Sequence, residues 1–235
     1  MTDHQVVSRE DWIEARRALL AKEKEFTRLR DQLSQQRREL PWVRVDKPYA
    51  FEGPNGTETL PRLFDGRSQL LVYHFMYGPN SDTPCKSCSF WADNIERNVV
   101  HLSARDVTFV VISRAPLARL EAFKKRMGWT FKWVSSGKSD FNFDYNVSWP
   151  DGAASEGDTY NYAPKTWGGA ELPGISVFSK DRSGTVFHTY SCYARGLDMM
   201  NTTYQYLDLV PKGRDEADQK PHAMAWVRYR DSYGR

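Results

Sequence analysis

The chain has 235 residues, 40% of them hydrophobic and 14% aromatic, which is enough to bury a core of ordinary domain size and excludes disorder as a description of most of it. Its 33 basic and 30 acidic residues give a formal net charge of +3 and are spread along the sequence, so no basic stripe is available to track phosphates and nucleic acid is not an expected partner. The first residues lack the basic tip, apolar core and small-residue cleavage site of a secretory signal, and the longest mainly apolar run, Leu70 to Tyr77, is too short to span a bilayer, so a cytoplasmic protein with no membrane partner is expected.

Ser8-Arg9-Glu10-Asp11 offers a hydroxyl cap with a carboxylate three residues on, and the segment that follows is rich in helix formers until Leu40-Pro41 ends it. Trp12, Leu19, Phe26, Leu33 and Leu40 recur every seven positions; Ala15 and Leu29 sit on the intervening row, which fails at Lys22 and Gln36. Residues 1–41 are therefore expected to form a helical extension. At 1.5 Å per residue it would run about 45 Å, more than one small core covers, so its stripe is expected to meet a second copy of the chain in a homodimer.

Residues 42–210 read as one α/β domain. Trp42 to Val45 alternates like a short strand, and Tyr49–Glu52 and Thr57–Leu60 flank Gly53-Pro54-Asn55-Gly56 as a hairpin. Gln69 to Tyr77 has the unbroken apolar character of a central strand covered on both faces. Apolar spacing then predicts a helix over Ser89–Leu102, a strand over Val107–Ile112 and a helix over Leu117–Met127, an alternation that argues for parallel neighbours in a layered α/β domain. Residues 129–167 read as an aromatic-rich insertion. Gly174 onward and Thr185 onward form a hairpin turned at Asp181, Ser183 and Gly184, and Leu197–Leu209 is a last helix. Residues 211–235 read as a polar tail tacked down by Trp226 and Tyr229.

Two of the three cysteines lie in Cys85-Lys86-Ser87-Cys88, between the buried strand and the first turn of a helix. Backbone N–H groups and the helix dipole stabilise an anion there, so Cys85 is expected to form thiolate readily, with Lys86 adding a nearby positive charge. Cys88, three residues along on the same helical face, can attack a mixed disulfide at Cys85 and release the product. Odd cysteine number and a reducing compartment favour this redox pair over a structural disulfide. A second possibility is a copper or zinc carrier in which Cys85 and Cys88 are joined by His188 or Cys192, although no second cysteine pair and no His-x-x-x-His is present to complete a structural zinc site. A third is a pair of inert buried thiols. His74 reads as a core histidine, and Pro173, just ahead of a strand, as either a cis-proline lying against the cysteines or an ordinary trans one. No cofactor is expected.

The chain also carries a resemblance. The Asn-Gly hairpin, "LPRLFDGRSQLLVYHF", the Cys-x-x-Cys and the Pro before a final hairpin are similar to the thioredoxin-like superfamily in its peroxiredoxin-related branch. "REDWIEARRALLAKEKEFTRLRDQL", "ELPWVRVDKPYAFEGPNG", "CKSCSFWAD" and "HTYSCYARGLDMMNTTYQYLDL" resemble the bacterial domain-of-unknown-function family 899, described as predicted dithiol-disulfide oxidoreductases, from about Val7 to Glu216. The resemblance implies a thioredoxin-like three-layer sandwich with a central mixed sheet, and a dithiol oxidoreductase with Cys85 as nucleophile, Cys88 as resolver, and Thr83, Lys86, Trp91 and Pro173 in support. Peroxidase chemistry is a further alternative. The peroxiredoxin pattern Pro-x-x-x-Thr/Ser-x-x-Cys is matched by Pro79 and Thr83, but Cys85 comes one residue early, which puts the threonine out of register and favours dithiol exchange. A reducing partner protein and a small disulfide or peroxide are the implied partners. In such a fold the insertion emerges on the side of the cysteines, so Trp149, Tyr160 and Trp167 are candidate walls of a substrate pocket.

Overall fold

The computed structural model describes residues 4–150, 157–166 and 168–234. The chain divides into two compact units, Met1–Pro41 and Trp42–Arg235.

The first unit is a single helix, α1 (Arg9–Glu39). Ser8 caps it, its Oγ accepting the Asp11 N–H at 3.1 Å while its hydroxyl donates to the Asp11 carboxylate at 2.7 Å. Glu10 and Asp11 in the first turn and Arg37 and Arg38 in the last complement the helix dipole. No residue of α1 is buried.

The second unit begins with β1 (Val43–Arg44), β2 (Ala50–Gly53), β3 (Gly56–Thr59), α2 (Leu60–Leu63) and β4 (Gln69–His74). It continues with α3 (Lys86–Glu96), α4 (Val99–Ser103), β5 (Val107–Ser113), α5 (Leu117–Met127), β6 (Lys132–Ser135) and α6 (Phe141–Asp144). A small hairpin of β7 (Thr159–Tyr160) and β8 (Ala163–Pro164) precedes β9 (Gly174–Lys180) and β10 (Val186–Tyr193). A 3₁₀ stretch (Ala194–Met200), α7 (Thr202–Leu207) and a second 3₁₀ turn (Ala223–Trp226) finish the chain.

Eight strands form one sheet in the order β1-β10-β9-β4-β5-β6-β2-β3, with β4, β5 and β6 parallel and the remaining pairs antiparallel. At its centre β5-β4-β9-β10 combines a parallel βαβ unit with a returning antiparallel hairpin beside β4. That arrangement is the thioredoxin-like fold, here a mixed sheet between two layers. Strand periodicity sorts the core between the layers. Tyr73, Phe75, Phe109 and Val111 face the cluster formed with α3, α5 and Leu197, whereas Leu70, Val72, Val110 and Ile112 face the cluster formed with α2, Phe64 and Phe141.

Several sequence expectations shift in detail. The helix expected over Ser89–Leu102 starts earlier, at Lys86, and is broken in two, because the Asn98 side chain donates to the Asn94 carbonyl at 2.9 Å while the Asn98 N–H turns to Ile95 O at 2.8 Å. The last helix is likewise interrupted where the Asn201 side chain caps α7 by accepting the Tyr204 N–H at 3.2 Å. In the β2–β3 hairpin it is Gly56 that takes the positive φ of 99°, and Asn55 does not. The aromatic segment from residue 129 is not an insertion at its start. Trp133 lies in β6, wholly buried, with its Nε1 donating to Ser113 Oγ at 3.0 Å, which makes this stretch the third parallel strand. The polar stretch after Pro211 is held by Trp226 and Tyr229, the two residues expected to tack it down, and it goes deeper than a surface contact. Val227 and Tyr229 are buried in the same cluster as α3 and α5, and Trp226 donates to Glu216 at 2.7 Å.

Candidate active site

The two-cysteine segment follows the carboxyl end of β4. After Tyr77 the chain makes a short excursion that closes where the Cys85 N–H donates to Met76 O at 3.2 Å. Arg119 of α5 clamps this excursion. Its Nη1 donates to Pro79 O at 2.9 Å, its Nη2 to Ser81 O, and its Nε to the Tyr77 hydroxyl at 3.2 Å, with the guanidinium 4.8 Å from the Tyr77 ring centre. From the other side the Tyr229 hydroxyl donates to Pro84 O at 2.5 Å. The loop before the nucleophile candidate is thus fixed from two elements far apart in sequence, and Pro84 itself is buried and held by Tyr229.

Cys85 is the N-cap of α3, in extended geometry, and its Sγ accepts the Cys88 N–H at 3.2 Å. A cap position ordinarily filled by a hydroxyl or carboxylate oxygen is filled here by sulfur, where unpaired helix N–H groups favour negative charge. The hydrogen bond from the Cys88 thiol, followed by the backbone N–H groups of Cys88 and Ser87 and the Ser87 hydroxyl, holds the Cys85 thiol below the ordinary cysteine range, and burial opposes this without overcoming it. Cys88 is buried, and burial together with the Cys85 sulfur pushes its thiol well above that range. The two shifts are opposite in sign, so of the pair Cys85 gives up its proton first and Cys88 holds its proton. Cys85 is half-buried and so accessible to a reactant, and none of the three cysteines is in a disulfide.

Further contacts hold α3 in place. Trp91 Nε1 donates to Leu197 O at 2.8 Å, Asp93 accepts from Trp129 Nε1 at 2.7 Å, Asn94 Oδ1 accepts from the Thr202 hydroxyl at 2.6 Å, and Glu96 accepts from Thr130. The Tyr73 hydroxyl, from β4 below, reaches Cys88 O at 3.3 Å.

Of the expected supporting residues, Trp91 lines a cavity of about 210 Å³ together with Cys88 and Pro173. Pro173 follows a trans bond, since the cis peptide bond among the described residues is Lys220-Pro221. Lys86 is exposed at the first position of α3. Thr83 is exposed too, and its hydroxyl meets the Tyr229 oxygen instead of a cysteine.

The expected aromatic pocket walls are placed otherwise. Trp149 is buried with Val147, Tyr160 and Tyr193 in a small separate cluster, with Lys165 Nζ 4.2 Å from its ring centre, and does not line the cavity beside Cys88. Tyr160 stands behind the wall, donating to Pro173 O at 2.7 Å and accepting the Ala194 N–H at 3.0 Å, so it positions two residues of the cavity without lining it. Trp167 lies outside the described residues. This segment anchors itself because its rings pack on one another and on β10.

The ligand set of the metal-carrier alternative is not assembled. His188 lies on the other side of the sheet, against Tyr145 and Phe178, with its Nε2 2.7 Å from Ser191 Oγ. Cys192 is buried on the Cys88 side, but among the described residues no three His, Cys, Asp or Glu side chains are grouped to hold a metal ion. His74 is the core residue expected, fully buried with Nε2 2.9 Å from Ser176 Oγ. Sequence reading missed Ser87, Arg119 and Tyr229. The first was legible from its place between the cysteines; the other two carried no local signal, since they reach the loop across 38 and 145 residues.

A family model described as "Bacterial protein of unknown function (DUF899)" matches residues 1–233. No curated protein matches. Among solved structures the chain is similar to peroxiredoxin Q of Xanthomonas campestris, at 16% identity and TM-score 0.45 over 68% of this chain and 91% of that one. It is similar to PrxQ of Xylella fastidiosa at 14% identity and TM-score 0.46, over 69% and 89% of the two chains. For peroxidoxin BcpB of Mycobacterium tuberculosis the values are 13% and 0.44, over 71% and 96%.

Proposed function

We propose a function for this chain, which belongs to the DUF899 family of bacterial proteins: a thiol-disulfide oxidoreductase in which Cys85 attacks and Cys88 resolves. The observation that supports this reading best is the asymmetry of the pair. Cys85 Sγ accepts the Cys88 N–H at 3.2 Å on the helix N-terminus, while Cys88 is buried and held as thiol. The Cys85 thiolate attacks one sulfur of a disulfide, forming a mixed disulfide and expelling one thiolate. Cys88 then gives up its proton, attacks Cys85 Sγ, and expels the second, leaving a Cys85–Cys88 disulfide. Two electrons pass from the protein to the substrate, and the reverse sequence oxidises a dithiol. Dithiols of this fold range from about −270 to −120 mV, so a reducing partner protein or the cytoplasmic thiol pool sets the direction.

Limiting iodoacetamide followed by peptide mapping tests the assignment. Cys85 should be labelled at least tenfold faster than Cys88 or Cys192 at pH 7. Cys88→Ser should trap a mixed disulfide on Cys85 that Cys85→Ser does not form. First labelling of Cys88 or Cys192 would reverse or remove the roles.

A further inference from the structure

The cavity beside Cys88 has a chemistry that the dithiol alone does not require. Its walls come from β4 (Tyr73), Met76 just beyond it, whose carbonyl holds the Cys85 loop, α3 (Trp91), the 3₁₀ stretch (Leu197) and the second 3₁₀ turn (Met224). Two of the large rings in the wall have spent their polar handles inside the protein, Tyr73 OH on Cys88 O at 3.3 Å and Trp91 Nε1 on Leu197 O at 2.8 Å, and Ser87 and the Cys88 thiol lie on the dithiol side. What these side chains offer a guest is apolar surface. The charges at the mouth are also paired among themselves. Arg195 lies 2.8 Å from Asp198, and Asp198 lies 3.0 Å from Arg214. A multiply charged guest, such as a peptide disulfide with several carboxylates, would have to compete with Asp198 for Arg195 at the mouth and finds no charge deeper in the cavity.

Size narrows the class further. An apolar protein cavity of about 150 Å³ accepts benzene. A volume of about 210 Å³ therefore suits one substituted aromatic ring or a short aliphatic chain, and is too small for a folded protein segment. We propose that this cavity is a binding site for the uncharged organic group of a small aromatic or short-chain aliphatic disulfide, or of the thiol made from it, held beside the dithiol. The proposal rests on the dithiol reading for its chemistry. The reaction balances as one disulfide plus the thiolate–thiol pair and one proton giving two small thiols and the Cys85–Cys88 disulfide.

Binding and turnover are measured separately. Methyl phenyl sulfide, which cannot exchange with thiols, is titrated into the full-length reduced protein by calorimetry. It should bind one to one, Met224→Glu should weaken it at least tenfold, and oxidised glutathione should not compete. Met224→Ala, which enlarges the cavity, should gain affinity for methyl 2-naphthyl sulfide relative to wild type. No binding of the phenyl sulfide, or equal binding in wild type and Met224→Glu with no gain in Met224→Ala, overturns the site. Reduction of 4,4′-dipyridyl disulfide by wild type but not by Cys85→Ser tests the chemistry. Sulfide binding that persists in Cys85→Ser while wild type reduces no disulfide would leave the cavity standing and remove the redox reading.

Discussion

Tyr229 donates its hydroxyl hydrogen to Pro84 O at 2.5 Å and so fixes the residue that precedes Cys85. The ring is buried against Phe123 at 5.3 Å, and Arg126, 5.0 Å from the ring centre, pairs with Asp231 at 2.8 and 3.0 Å. The last turn of the chain is thereby a clamp on the loop whose geometry gives Cys85 its N–H donors. Tyr229→Phe keeps the ring and removes the hydrogen bonds to Pro84 O and from the Thr83 hydroxyl, a loss of about 1–2 kcal/mol. The expected outcome is a pH profile of Cys85 alkylation shifted upward, toward an ordinary thiol, with the rate at pH 7 two- to tenfold lower. An unmoved profile, with stability lowered alone, would make Tyr229 a packing residue only.

His74 supplies a pH prediction. It is wholly buried on the face opposite Cys88, against the Phe141 and Tyr145 rings, and burial, with a smaller contribution from His188, lowers its pKa to about 3. An unfolded histidine titrates near pH 6.5, so between these values the unfolded chain binds a proton that the folded chain refuses. Its contribution is complete above about pH 6.5 and is lost as the pH falls, amounting to about 2.5 kcal/mol by pH 4.5. His188, also lowered by burial, adds a slope of the same sign. Urea midpoints at pH 7 and 4.5 should show this loss in wild type and a smaller one in His74→Phe, where Ser176 keeps its 2.9 Å partner Ser191. Equal losses in the two proteins would mean that His74 does not govern the acid limb.

The sheet's inner strands were legible because each carries a local signal. Val107 to Ser113 is β-branched, Leu117 to Met127 is helical in spacing and stopped by Gly128 in the left-handed region, and the turn at Asp181 is written in the residues that bond to its carboxylate, Ser183 N at 2.8 Å and Thr185 N at 2.9 Å. The strand Lys132–Ser135 does carry a signal, the alternation of Trp129, Phe131 and Trp133 toward one core cluster, but it is short and runs into further aromatics from Phe141 to Trp149, which mask where it ends. The dithiol could be read from its spacing and the helix after it. The cavity beside Cys88 could not, because its walls come from segments as far apart as Tyr73 and Met224 and no spacing brings such residues together on paper.

Gly137 marks a close passage of the chain at the end of β5. A Cβ built there would lie 2.7 Å from the carbonyl oxygen of Arg114, and a backbone atom cannot swing aside as a side chain can. Gly137→Ala is expected to cost about 1–3 kcal/mol through the backbone shift it forces. Thermal unfolding at pH 7 reads this directly. An unchanged melting temperature would show that the β6–α6 connection yields freely.

The helix α1 presents the last question, since a 31-residue helix with none of its residues buried gains little from packing within its own unit. Trp12, Leu19, Phe26 and Leu33 recur every seven residues along it, a spacing that keeps one seam facing a partner helix, and the most self-consistent partner is the same stripe on a second copy. Lys22 and Gln36 interrupt the intervening row, so the pairing should be looser than that of a continuous coiled coil. The full-length protein is expected to scatter light as a dimer at micromolar concentration. Leu19→Glu combined with Phe26→Glu places charges in the middle of the seam and should give monomers, with the near-ultraviolet circular dichroism of the sheet unit unchanged. A wild-type monomer would sink the idea outright, and a dimer that survives both substitutions would move the interface off α1.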